Sequence, residues 1–500
     1  MNENVQQAEQ DVEIGKSENE LIAIRKQKLN ALVDEGINPF DITAFDFTHE
    51  ARFIHDNFDD MDGQTVRLAG RMMSKRDMGK AFFCDLQDAT GRIQLYVKVD
   101  DLGEEAFNAF KKFDISDMIG IEGFAFRTRR GEISVHCKFV TMLAKSLRPL
   151  PEKYHGLRDS ELRYRMRYLD LIMNAGSRNT FLTRSKILTI IREEMHKRGY
   201  IEVETPVLHS HATNAAAKPF RTHHNTLDLD MVLRVELELH LKRLIIGGFD
   251  RVFEIGRIFR NEGMSVKHNP EFTMMELYEA YTDYKGMMKL CEELYEACAE
   301  KVLGGKIVTY QDTELDFTAP WKRMTMCEAV KEYAGVDFDD YQTDEEAYNI
   351  ARKYGLPVEK DMKRGDIINV FFEEKAEKHL IQPTIIYDYP IEISPLAKRT
   401  KYDTRLTERF EAFVCGGLEL GNAFSELNDP IDQRERFIEQ ASKKHKEGVF
   451  EIDEDFITAM EYGMPPTGGM GLGIDRMIML FTNSASIRDV LLFPTMKPIE

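Results

Sequence analysis

Apolar residues recur at helical spacing in "ENELIAIRKQKLNALVDEG" (residues 18–36), which Gly36 closes and "NPF" stops, so this stretch predicts a helix. From about 64 to 145 the period falls to two. "TVRLAGRMMSKR" and "AFFCDLQDATGRIQLYVKVD" alternate as strands, "LGEEAFNAFKKF" interrupts them with a short helix, and "MIGIEGFAFRTRRGEISVHCKFVTMLAK" resumes the alternation. Helical spacing returns in "RNTFLTRSKILTIIREEMHKRGY", which ends at Gly199. "IEVETPVL" follows, a strand broken by Pro206, a residue expected at an edge or an interface. Strand patterns continue to residue 281. Residues 285–380 are mostly helical in pattern and read as an insertion. "TIIYDYPIEISPLA", "ERFEAFVCGGLELGNAFSELND" and "GGMGLGIDRMIMLFTN" complete a mixed α+β domain. There is no internal repeat.

Five strands with a helix between the third and fourth is the order of an OB barrel, whose open face binds single-stranded nucleic acid by stacking bases on aromatics. Phe83 and Tyr96 are the stacking candidates, with Arg71, Arg76 and Gln94 for polar readout. "RPLPEKYHGL" (148–157) has two prolines and reads as an interdomain linker. The expected layout is a disordered tail (1–18), a helical segment (19–60), the barrel (61–147), a linker (148–176) and the large domain (177–500).

Composition narrows the class. Five hundred residues suggest two to four domains, and 43% hydrophobic content is enough for large cores. The polar, acidic opening has neither the basic nor the apolar region of a signal peptide. No stretch approaches the ~18 uninterrupted apolar residues of a membrane helix, so the expected location is the cytoplasm, with no membrane partner. The six cysteines form no CxxC pair; Cys291 and Cys298, seven apart on one helix face, read as core thiols rather than half a zinc site. The net charge of −19 opposes indiscriminate nucleic-acid binding. Between 145 and 186, however, bases such as Lys145, Lys153, Arg158, Arg163, Arg167, Arg178 and Arg184 outnumber acids, leaving two readings: a solvated charged face or a phosphate-contacting patch.

The chemistry concentrates in three segments. In "FRNEGMSVKHNPEFTMMELYEAY" (259–281), Gly256, Ile258, Arg260 and Glu262 share one strand parity, and so do Phe272, Met274, Glu276 and Tyr278. The turn-rich "GMSVKHNP" joins them as a hairpin loop. A sheet face that should be apolar thus carries a fork for carboxylate or phosphate (Arg260), a ring for a flat base (Phe272), loop cations for a polyphosphate (Lys267, His268), and Glu276 and Tyr278 for a cation. In "FEAFVCGGLELGNAFSELND", Glu411, Glu419 and Glu426 recur around Gly416-Gly417. Clustered carboxylates repel unless a cation joins them, and Mg²⁺ fits oxygen donors best. In "GGMGLGIDRMIML" (468–480) the glycines allow close backbone approach to a ligand, and Arg476 opens the helix that follows. No GxxxxGK[ST] element occurs, which excludes a P-loop.

Together these segments resemble motifs two and three of the class II aminoacyl-tRNA synthetases, and "GYIEVETPVL" resembles the motif one that builds their dimer interface. With "RYRMRYLDLIMN", "IYDYPIEISPLAKR" and "PPTGGMGLGIDRMIMLFTNSASIRDVLLFPTMKP", the likeness is to the bacterial lysyl-tRNA synthetase family over about residues 20 to 498. The resemblance implies a catalytic domain built on an antiparallel sheet flanked by helices, joined to an N-terminal OB domain that reads a uridine-rich lysine anticodon. It implies activation of lysine by ATP to lysyl-adenylate with release of pyrophosphate, then transfer to the 3′ end of tRNA(Lys) with release of AMP, in a cytoplasmic homodimer. Arg260 would grip the α-phosphate and the substrate carboxylate, Glu262 and Phe272 would hold adenine with His268 near the phosphates, and Arg476 would stack on the base and meet the γ-phosphate. Glu411 and Glu419 would hold Mg²⁺; no zinc is expected. Glu238, Glu276, Tyr278, Asn422, Phe424 and Glu426 would surround the lysine. Three departures mark this chain: Thr213-Asn214 where the family commonly has Gly-Gly, Leu237 where a Pro often precedes Glu238, and one extra residue between Glu411 and Glu419. Aspartyl- and asparaginyl-type relatives are opposed by the excess of pocket carboxylates. A protein-lysylating ligase is opposed by the barrel, and an inactive RNA-binding relative by Arg260, Glu419 and Arg476.

Overall fold

The computed structural model describes residues 17–151, 157, 159–210, 217–444 and 452–499. The acidic tail up to residue 16, Lys153 and Arg158 of the proline-rich segment, and the Thr213-Asn214 departure lie outside these residues. The chain divides into two compact units, Met1–Gly156 and Leu157–Glu500.

The first unit opens with helix α1 (Glu18–Asp34). Ser17 and Glu20 form a reciprocal capping box at its start, so residues 17 and 18 of the expected tail belong to a helix terminus. Strands β1 (Thr65–Asp77), β2 (Ala81–Gln87), β3 (Arg92–Lys98), β4 (Met118–Arg127) and β5 (Ile133–Ala144) close into a barrel in the order β1-β2-β3-β5-β4. Helix α2 (Glu104–Lys111) lies between β3 and β4 in sequence, as the OB order requires. The period-two residues turn inward: Val66, Leu68, Cys84, Leu86, Leu95, Val97, Ile119, Ile121 and Val135 form the core with Phe107 and Phe110 of α2. Lys75 donates to the carbonyls of Phe110, Lys111 and Phe113 at 2.8–2.9 Å, placing a cation on the carbonyl end of α2.

The second unit begins with α3 (Ser160–Arg165), α4 (Arg167–Met173) and α5 (Ala175–Lys197), so residues 160–173 of the expected linker are helical. Its frame is an eight-stranded sheet. In chain order the strands are β6 (Ile201–Glu202), β7 (Arg251–Phe259), β8 (Glu271–Ala280), β9 (Lys322–Thr325), β10 (Thr384–Pro390), β11 (Leu406–Val414), β12 (Leu418–Ser425) and β13 (Thr467–Gly473); in space they run β9-β10-β11-β12-β13-β8-β7-β6. All neighbours are antiparallel except β9/β10 and β7/β6. One face packs on α5, α7 (Tyr284–Leu303) and α9 (Ile474–Phe481), with Phe253, Met275, Leu277, Met470 and Leu472 meeting Ile187, Leu294 and Ile478 in the main core. The other face is partly covered by α6 (Glu238–Ile246), through Leu241 and Ile245 against Val252, Ile258 and Tyr278. Residues 326–376 carry a second helical core around Phe338 and around Ile367 and Phe371 of α8 (Arg364–Phe371), and the short strand pair 307–310 and 313–316 adds β structure to the segment read as mostly helical.

One open side-chain reading is decided and another expectation holds. Among the described bases of the stretch 145–186, Lys145, Arg163, Arg167 and Arg184 are drawn into internal ion pairs rather than left on a free cationic face. Lys145 is buried on Asp114 and Asp117 (2.5 and 2.9 Å), Arg167 on Asp170 (2.5 Å), and Arg184 on Asp475 (2.5 Å). A buried cation needs a paired carboxylate, and these pairs supply it. Cys291 and Cys298 are both buried in the main core, and burial pushes both thiols well above their ordinary value. Among the described residues no helix is long and apolar enough to cross a membrane.

Candidate active site and nucleic-acid face

The β7–β8 ladder decides which residues meet. Val252 pairs with Tyr278, Glu254 with Glu276, Gly256 with Met274 and Ile258 with Phe272, and just beyond the ladder the Arg260 amide donates to the Pro270 carbonyl at 2.9 Å. Met275 and Leu277, of the opposite parity, point into the core, so Phe272, Met274, Glu276 and Tyr278 are left for the other face. That face floors a cavity of about 550 Å³. Its lining gathers Glu238, Arg260, Glu262, Lys267, His268, Phe272, Glu276, Tyr278, Glu411, Glu419, Asn422, Phe424 and Arg476. Glu426, wholly buried, stands against its floor: a Cβ on Gly469 would meet Glu426 Oε1 at 2.1 Å and the Tyr278 ring at 2.4 Å.

One end of the cavity is cationic. The Arg260 guanidinium lies 5.2 Å from the Phe272 ring centre and donates through Nε to the Val235 carbonyl at 3.4 Å. Arg476 enters from the first turn of α9 and donates to the Glu419 carbonyl at 3.0 Å and its carboxylate at 3.1 Å. Beside it Asp475 is anchored from two sides: its Oδ2 accepts the Thr273 amide at 2.7 Å, and its Oδ1 meets Arg184 of α5 at 2.5 Å. His268 bonds Ser265 Oγ at 2.9 Å; burial, then the Arg476 charge, lowers its proton affinity.

The other end is acidic. Tyr278 donates to Glu276 Oε2 at 3.3 Å, and the Leu237 amide donates to Glu276 Oε1 at 3.2 Å. The Leu237 departure therefore has a consequence, because a proline there has no N–H to give. Burial, then Glu238 and Glu236, push the Glu276 carboxyl up to about 8. Lys242, wholly buried one turn along α6, lies 2.5 Å from both Glu238 Oε1 and Glu426 Oε2. Burial disfavours its charge, but Glu238 and Glu426 together outweigh that effect and hold the ammonium charged. With Glu426 the contact is an ion pair at 2.5 Å. One cation shared between two acids is less than a full counter-charge, and burial pushes Glu426 upward despite Lys242.

Between the two ends stand the other carboxylates. The extra residue between Glu411 and Glu419 is absorbed where β11 and β12 change register: Ala412 pairs with Gly421 and Phe413 with Glu419, so Leu420 stands outside the pairing. Gly416 and Gly417 make the turn with φ of 69° and 106°, conformations open to glycine, and a Cβ on Gly417 would stand 2.1 Å from Glu377 Oε1. Glu411 accepts from Arg409 at 2.5 Å and from Tyr389 at 3.1 Å, and burial raises its proton affinity, with Glu419 adding to the effect. Hard oxygen donors whose charges are disfavoured together suit a divalent cation. Among the described residues no three His, Cys, Asp or Glu side chains form a metal cage.

Arg409 escaped the sequence reading. It bonds Asn422 at 3.2 Å, Glu411 at 2.5 Å and the Ile393 carbonyl at 2.6 Å, and stacks 4.6 Å from the Tyr389 ring centre and 5.6 Å from that of Phe424. The signal was present, since Arg409 and Glu411 share strand parity. Lys242 and Glu236 also escaped, the first at helical spacing from Glu238.

On the barrel, pairing across strands arranges the stacking candidates. Arg76, Phe83, Tyr96 and His136 form one row across β1, β2, β3 and β5, continued by Phe124 on β4. Phe83 and Tyr96 rings lie 4.9 Å apart, Tyr96 and His136 5.0 Å, and His136 and Phe124 4.8 Å. Gln94 sits in the next row, paired with Asp85 and Ser134 and accepting from Ser134 Oγ at 3.1 Å. Arg71 lies further along β1 and is tied to Ser116 by bonds of 2.9 and 3.1 Å. His136 and Phe124 extend the strip beyond the residues that the sequence suggested.

Residues 159–497 match the family described as tRNA synthetases class II (D, K and N), and residues 66–143 match the OB-fold nucleic acid binding domain. The chain is 55% identical to a lysine–tRNA ligase of Thermoanaerobacter pseudethanolicus over 482 residues, covering 96% of each. It is 56% identical to the lysine–tRNA ligase of Moorella thermoacetica, over 97% of this chain and 99% of the relative, and 54% identical to that of Clostridium tetani, over 96% of each.

Proposed function

The chain belongs to the class II tRNA synthetases, in their lysine–tRNA ligase branch, and from that premise we propose how its residues carry the ligation. The protein joins lysine to tRNA. The observation that carries the site assignment is a single cavity with two guanidinium groups at one end and buried acids at the other.

ATP lies at the cationic end, with adenine against Phe272 and Glu262, and the phosphates among Arg260, His268, Lys267 and Arg476. Lysine enters the acidic end, its ammonium groups facing Glu238, Glu276 and Glu426, with Tyr278, Asn422 and Phe424 shaping the walls. Its carboxylate meets Arg260, which also holds the α-phosphate. The carboxylate oxygen attacks the α-phosphorus in line, pyrophosphate leaves, and the adenylate is then opened by a ribose hydroxyl at the tRNA 3′ end, releasing AMP. No protein nucleophile is required; alignment and charge neutralisation lower the barrier. Glu411 and Glu419 would hold Mg²⁺, which supplies charge neutralisation to the phosphates when bound. The barrel row Arg76-Phe83-Tyr96, with Gln94 and Arg71 near it, reads the anticodon. Exposed Ile201, Val207 and Leu208, beside Pro206 in the chain, support a homodimer, and the enzyme works in the cytoplasm.

Amino-acid-dependent ATP–pyrophosphate exchange with each of the twenty amino acids tests this reading. Lysine should support exchange far better than any other; equal exchange with aspartate or asparagine would refute it.

A further inference from the structure

Four carboxyl groups crowd the acidic end: Glu236, Glu238, Glu276 and Glu426. A lysine substrate brings two ammonium groups, and its carboxylate is taken by Arg260. The acids therefore outnumber the cations that the substrate supplies. Lys242 corrects the imbalance from inside the protein. Its side chain is wholly buried, its Nζ stands 2.5 Å from Glu238 on its own helix and 2.5 Å from Glu426 beyond the end of β12, and it lies 6.0 Å from the Tyr278 ring centre. Without that ammonium, Glu238 and Glu426 would repel each other or take up protons, and either response removes the fixed negative charge that a substrate ammonium needs.

We propose that Lys242 is a specificity-determining residue, a built-in counter-cation that ties Glu238 to Glu426 and so fixes the depth at which a substrate ammonium is accepted. It is a positioning residue that acts through the two carboxylates. Tied acids cannot follow the shorter side chain of ornithine outward, and they cannot splay to admit the broad guanidinium of arginine. The inference rests on the lysine pocket assigned above.

The test is ATP–pyrophosphate exchange by the full-length protein with lysine, ornithine and arginine, in wild type, Lys242→Met, Glu426→Gln and the double variant. Lys242→Met should raise the lysine KM at least tenfold with a much smaller change in kcat. It should also shrink the preference for lysine over ornithine, in kcat/KM, by at least tenfold. The double variant should lose less than the sum of the two single effects, because both changes break the same tie. Ethylammonium chloride should restore the lysine KM of Lys242→Ala, while ethanol should not, a rescue that a purely structural role does not give. If Lys242→Met does not fold, Lys242→Arg, which keeps the charge but enlarges the head, carries the same ratio measurement and should also lose the preference. A folded Lys242→Met, or in its place Lys242→Arg, with wild-type lysine KM and selectivity would overturn the proposal, as would strictly additive effects in the double variant. Failure of wild type to exchange with lysine would instead overturn the pocket assignment, so the two failures are distinguishable.

Discussion

Glu276 is buried and faces Glu238 and Glu236, so burial and then those two charges push its carboxyl up to about 8. A carboxyl raised from its ordinary value near 4.5 costs stability as pH climbs from there towards 8, and no more above 8. The same shift governs ligand binding. An ammonium prefers the ionised form, so below pH 8 lysine must expel the proton in order to bind. The lysine KM should fall as pH rises from 6 to 8, by up to about tenfold per unit for one displaced proton, and flatten above 8. Calorimetry in two buffers of different ionisation enthalpy should register the released proton at pH 7, and Glu276→Gln should reduce the slope, leaving the part that Glu426 contributes. A flat wild-type profile would remove Glu276 from the pocket. A second residue-scale expectation concerns the metal carboxylates. Glu419→Ala should abolish adenylate formation while circular dichroism remains native. Glu411→Ala should do the same despite the extra residue, because the register change between β11 and β12 returns both side chains to one cavity. Normal activity of Glu411→Ala would show that the cation takes another partner.

At the scale of elements, β13 is the least expected component of the site. A strand reading "TGGMGLG" has weak strand propensity, since glycine has no side chain to pack. It is nevertheless central, lying between β12 and β8. Its glycines are selected by what stands over them: a methyl group on Gly469 would collide with Glu426 and Tyr278. Gly469→Ala should raise the lysine KM about tenfold or more, in line with roughly 1–3 kcal/mol for overpacking. ATP affinity, measured by titration without lysine, should hardly change. Equal losses for both ligands would mean that the strand, rather than the pocket, had failed. Helix α9 illustrates the same dependence. Its Arg476 reaches the cavity because Asp475, next to it, is clamped by the Thr273 amide and by Arg184 of α5.

For the molecule as a whole, a net charge of −19 means that local contacts rather than general attraction must hold tRNA. The barrel supplies such contacts in its aromatic row. Phe83→Ala should raise the tRNA KM roughly tenfold or more, since one stacked base is worth about 1–3 kcal/mol. ATP–pyrophosphate exchange should be untouched, because every residue of the cavity belongs to the second unit. Changing the central anticodon base of the tRNA should mimic the mutation; if neither change affects charging, the barrel does not read the anticodon. Sedimentation at micromolar concentration should give a dimer, and a fully active monomer would contradict the role given to the exposed apolar residues near Pro206.

The sequence by itself determined whatever repeats at short range. Period-two alternation and one intervening helix specified the five-stranded barrel, and strand parity put Phe272, Glu276 and Tyr278 on one face and Met275 and Leu277 on the other, because successive side chains on a strand must alternate. The types and spacing of Arg260, Glu419 and Arg476 were enough to suggest nucleotide chemistry. Tertiary structure decided what depends on neighbours distant in sequence. It set β13 between β12 and β8, brought Arg409 onto Glu411 and Asn422, and lined up His136 and Phe124 with Tyr96. It drew Lys145, Arg163, Arg167 and Arg184 of the basic stretch 145–186 into internal ion pairs, and it buried Lys242 between two acids, one 4 and the other 184 residues along the chain from it. A charge in sequence is only a charge; whether it meets water, a ligand or a buried partner depends on desolvation and pairing, which only the assembled sheet and its helices supply.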